Sequence, residues 1–141
     1  MPPMTVAESS GYRATSTHAE VMAFIAELQQ LQSPLLRVSS FGHTPQGREL
    51  PLLVLSSAGV GDRASARALG RPVVLLQNCI HAGEVEGKES ALMLVRDLLT
   101  GREAGLLDQV TVLVIPIFNA DGNDAMDPGN RALQIEEPLI F

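Results

Sequence analysis

The chain has 141 residues, a formal net charge of −6 and 45% apolar residues, which suits one domain with a hydrophobic core and argues against disorder. Its ten basic residues are scattered rather than clustered, so nucleic acid is not the expected partner. No apolar run approaches the ~20 residues of a membrane span, no secretory pattern opens the chain, and the single Cys79 excludes an internal disulfide. A cytoplasmic protein is expected.

Residues 1–17 are small and polar and read as a flexible leader; residues 18–141 read as part of a single domain. Val21, Phe24, Ile25, Leu28 and Leu31 recur at helical spacing over 18–32. Thr17 is a candidate cap for this helix, with Glu20 three residues on, and Ser33-Pro34 stops it. LLRVSSFGHTPQGRELPLLVLSS then reads as a hairpin turning on Pro45 and Gly47. Residues 56–71 form a connection with room for a short helical turn. PVVLLQNCI (72–80) is a nearly continuous apolar run, which predicts a strand buried on both faces. A helix follows over 86–100, with Leu92, Val95, Leu98 and Leu99 on one face and Gly101 at its end. VTVLVIPIF (110–118) is a second buried strand, with Pro116 near its end. The remainder opens as a polar loop with turn signals at Asp121-Gly122 and Pro128-Gly129. The strand–helix–strand unit from 72 to 118 predicts a parallel pair. An open sheet that stopped there would expose an edge.

Ligands of open α/β sheets bind beyond the carboxyl ends of the strands. His81 and Glu84 follow the 72–80 strand, and Asn119, Asp121 and Asn123 follow the 110–118 strand, so the two loops converge. Imidazole and carboxylate both suit Zn²⁺, and Gly83 permits a sharp path between them. On the residues alone a second reading stands beside this one. Glu84 also suits a helix N-terminus through the dipole, and His81 a strand end bonded to backbone. His18 and His43 have no clear route to this loop. Cys79 reads as a buried core thiol. Glu86, Lys88 and Glu89 read as a solvated first turn. Asp121, Asp124 and Asp127 lack the spacing of a calcium loop.

Three segments, in order, resemble the N-terminal part of the M14 zinc carboxypeptidases: FGHTPQGRELPLLVLS, QNCIHAGEVEGKESALMLVRDLL and VLVIPIFNADGND, the last with Ala120 where the family has proline. The resemblance implies a three-layer α/β/α sandwich around a mixed sheet, incomplete at the C-terminus. It implies His81 and Glu84 as two of three zinc ligands, a peptide substrate, and hydrolysis by zinc-activated water. The family's third ligand and general base would fall beyond Phe141, so no catalytic residue is expected within the chain. Arg131 is a candidate neighbour of the substrate. Two alternatives accompany this reading: an aspartoacylase-like or desuccinylase-like zinc amidohydrolase, and a non-catalytic binding module.

Overall fold

The computed structural model describes residues 2–126; Arg131 and Asp127 lie outside the described residues. The elements in chain order are α1 (Val6–Ser9), α2 (His18–Gln30), β1 (Leu36–His43), β2 (Glu49–Leu55), α3 (Arg63–Leu69), β3 (Val73–Gln77), α4 (Glu86–Leu99), a 3-10 turn (Ala104–Asp108), β4 (Thr111–Ile115) and α5 (Ala120–Ala125).

The four strands make one mixed sheet in the order β1-β2-β4-β3. β1 and β2 form the expected antiparallel hairpin, β2 runs antiparallel to β4, and β3 and β4 are the expected parallel pair. Alternation along the strands gives the sheet two faces. Leu53 and Leu55 of β2 and Val112 and Val114 of β4 point to one face. There they meet Phe24, Ile25 and Leu28 of α2 and Leu92, Val95 and Leu98 of α4 in a continuous core. Each such side chain contributes roughly 1.5–3 kcal/mol by leaving water. α3 stands over the other face, with a cavity of about 540 Å³ between it and Leu52, Val54 and Leu113. That cavity shares no lining residue with the 78–85 loop.

Several helix ends follow the sequence. The Thr17 side chain accepts from the Glu20 amide while the Glu20 carboxylate receives the Thr17 amide, so both ends of the capping box are closed. Pro116 falls immediately after β4, where its missing N–H costs no ladder bond.

Three expectations are corrected. Residues 1–17 are not a loose leader: Thr5 caps α1 through a second capping box with Glu8, and Thr5, Ala7 and Ser16 are buried. Arg96 of α4 donates to Glu8 at 2.6 Å and to the Pro3 carbonyl, holding the segment to the domain. β3 is shorter than 72–80 and is not buried on both faces; Val73, Val74 and Leu75 are 49%, 41% and 51% exposed. The reason is position: β3 is the outer strand, and no described strand pairs with its free side. Residues 120–125 form a helix rather than a loop, because the Asn119 side chain accepts from the Gly122 amide and caps it.

Candidate metal centre

The centre starts where β3 and β4 end. Beyond Gln77 the two chains stay side by side: the Asn78 amide donates to the Ile115 carbonyl, the Phe118 amide to Asn78, and the Asn119 amide to Cys79. Cys79 lies in the left-handed region, at φ 52°.

Residues 81–84 close a tight turn, with the Glu84 amide donating to the His81 carbonyl at 3.3 Å. Gly83 sits at φ 85°, a conformation glycine adopts without the Cβ clash that penalises other residues. The turn brings His81 Nδ1 to 3.1 Å from Glu84 Oε2. The His81 side chain is mostly exposed and Glu84 half-buried. A ring nitrogen and a carboxylate oxygen thus meet at one accessible point, and imidazole with carboxylate is a donor set chemically suited to Zn²⁺. Among the described residues no third His, Cys, Asp or Glu joins them.

The other candidates are accounted for. The His18 ring bonds the Glu49 carbonyl at 2.7 Å. His43 lines a shallow hollow of about 330 Å³ with Pro45, Leu50, Ile80 and Phe118. The Cys79 thiol is buried, and burial pushes its pKa up, as suits a core thiol. Asp121 and Asp124 belong to Arg48, at 2.7 and 3.2 Å. Burial works to raise the Asp121 carboxyl, but hydrogen bonds from Thr44, Arg48 and Gln46 outweigh it and hold it below the usual range. Asp124 is lowered in the same sense, burial opposing and the His18 amide, Asn123 and Arg48 prevailing. These carboxylates fasten the hairpin turn to α5.

Lys88 and Glu89 are not a solvated first turn. Lys88 is fully buried and Glu89 nearly so, while Glu86 is exposed as expected. The Lys88 ammonium donates to the Ser16 carbonyl and, at 2.6 Å, to Asn123 Oδ1. Glu89 accepts from the Ser16 amide at 2.6 Å and the Thr15 hydroxyl at 2.9 Å. Burial drives the Lys88 pKa down, opposed by the charge of Glu89. The signal was present in the sequence. Lys88 stands four and seven residues before Leu92 and Val95, on the apolar stripe of α4.

With this geometry in hand, the comparisons with known proteins are decisive. The sequence profile of the family described as zinc carboxypeptidase matches residues 21–135. The chain belongs to the zinc carboxypeptidase family. It is 35% identical over 80 residues to Carboxypeptidase 2 of Trichophyton rubrum, covering 55% of this chain and 14% of that protein. It is 31% identical over 114 residues to Carboxypeptidase D of Rattus norvegicus, covering 70% of this chain and 8% of that one. Among solved structures it is similar to the carboxypeptidase A of Helicoverpa armigera, with a TM-score of 0.67 at 24% identity, over 77% of this chain and 25% of that one. The α/β carboxypeptidase fold with its mixed sheet is therefore established. The chain spans 14% or less of these two curated relatives and a quarter of the solved structure.

Proposed function

We propose that this chain carries the first two zinc ligands, His81 and Glu84, of a peptidase that hydrolyses C-terminal peptide bonds. The observation that carries this reading is the approach of His81 Nδ1 to Glu84 Oε2 at 3.1 Å, at the carboxyl ends of two parallel strands in a chain of this family. Zinc, when bound, supplies Lewis acidity toward a peptide carbonyl and lowers the pKa of water. The chain's own part is to orient the donors. The Gly83 turn presents nitrogen and carboxylate to one point, and the packed strand ends beneath fix that point. In this reading the third ligand and the general base fall beyond Phe141, and Arg131 is a proposed neighbour of the substrate.

Two measurements test the reading. Titrating the purified 141-residue chain with Zn²⁺ or Co²⁺ should shift the His81 ring resonances, and His81→Ala or Glu84→Gln should abolish the response. Equal metal binding by wild type and His81→Ala would sink the assignment. The same chain should show no zinc-dependent cleavage of a peptide ending in an apolar residue, since a catalytic zinc site requires three protein ligands. Cleavage by the 141-residue chain that disappears in Glu84→Ala would show that the described pair suffices.

A further inference from the structure

We infer that Lys88 is the positioning residue of the metal turn: its buried ammonium clips together the two helix starts between which residues 78–84 are held. The inference rests on the reading of His81 and Glu84 as metal ligands.

The first turn of α4 packs on the entry to the metal turn; a Cβ on Gly87 would lie 3.0 Å from Asn78 Oδ1. The first turn of α5 packs on its middle; a Cβ on Gly122 would lie 2.9 Å from the Ala82 Cβ. Ala82 is the buried residue between the two ligands. Each helix start therefore touches one side of the same loop. Lys88 joins them, because it rises from the first turn of α4 and donates at 2.6 Å to Asn123 of α5. Asn123 Oδ1 also receives the Cys79 thiol at 3.8 Å, and that thiol reaches the His81 carbonyl at 3.9 Å. Asn123 Nδ2 and Lys88 both donate to the Ser16 carbonyl. One ammonium thus links α4, α5 and the N-terminal segment, and Cys79, at the root of the turn, joins the same cluster through Asn123.

The chemistry favours a positioning role over a merely stabilising one. A buried charge is costly even when paired, and an apolar residue of similar volume is often as stable or more so. What a methionine cannot do is direct hydrogen bonds to two oxygens on separate segments. Partners that orient metal ligands from behind typically change metal affinity by about 10–100-fold when removed.

The experiment compares wild type, Lys88→Met and Lys88→Arg as full 141-residue chains. Hydrogen exchange of the residue 79–84 amides is measured without metal, and Co²⁺ is then titrated against the His81 ring signals. Lys88→Met should exchange faster at 79–84 and bind Co²⁺ roughly 10–100-fold more weakly, and Lys88→Arg should recover much of both. Unchanged exchange and unchanged Co²⁺ affinity in Lys88→Met, whatever its melting temperature, would overturn the inference. If Lys88→Met does not fold, Asn123→Ala removes the α5 acceptor and is read in the same two ways. A wild-type chain whose His81 ring ignores Co²⁺ sinks the metal reading, while the exchange rates still decide the clip.

Discussion

Two glycines shape the turn at residues 81–84 for different reasons. Gly83 has open space where a Cβ would go but sits at φ 85°. Gly122 is the opposite case: a Cβ there would stand 2.8 Å from both side-chain ends of Asn119 and 2.9 Å from Ala82. Gly83→Ala should therefore lose about 1–2 kcal/mol to backbone strain alone, with Ala82 undisturbed. Gly122→Ala should lose about 1–3 kcal/mol by overpacking, and should also shift the resonances of Ala82 and His81. Urea midpoints and heteronuclear spectra of the two variants separate strain from displacement. The role of Gly83 was legible in the sequence because a sharp path between two candidate ligands calls for it. That of Gly122 was not, because its crowding exists only once α5 has folded onto the neighbouring loop.

Between elements, Arg48 ties the hairpin turn to α5. The guanidinium meets Asp121 and Asp124, Thr44 donates its hydroxyl to Asp121, and the His18 amide donates to Asp124. Both aspartates titrate below the usual range. Their contribution is therefore complete above the ordinary carboxylate pKa of about 4, and it is lost as pH falls through the lowered folded values. Arg48→Met should be less stable than wild type at neutral pH, and the gap should narrow below about pH 4. Denaturant unfolding across pH 2–7 checks the sign; a gap that widened in acid would contradict it. The longer elements were legible before the structure was known. α2 and α4 carry long apolar stripes, and β1, β2 and β4 are bounded by turn residues. α1 and α5 were missed because four and six residues are too few to show a period. What makes them helical is local capping, by Thr5 with Glu8 and by Asn119, and the first of these repeats the box recognised at Thr17.

At the scale of the molecule, the sheet has a covered interior and, among the described residues, an open flank. Val73, Val74 and Leu75 present apolar surface at the outer strand, and a strand edge that no described strand covers is a template for association. Leu75→Lys, on the face away from the α2–α4 core, should raise the monomer fraction in sedimentation runs with little change in melting temperature. Burial of β3 was misjudged because an apolar run reports what a strand can bury, whereas its neighbours decide what it does bury. His81 and Glu84 stand out as candidates in the sequence through their place after that strand. The polar cluster behind them is not evident in the sequence, because charges in a helix's first turn are ordinarily solvated. The cluster also bears on where this protein can be cut. The family profile begins at residue 21, and an expression boundary drawn there would look natural. It would strip the Ser16 carbonyl from Lys88 and the Ser16 amide and Thr15 hydroxyl from Glu89. The Lys88 ammonium would be left in the interior with one of its two acceptors gone, and the Glu89 carboxylate with both of these donors gone. The first twenty residues fall outside the family's recognised span, yet a chain shortened to that span would carry a wound beneath the turn that holds His81 and Glu84.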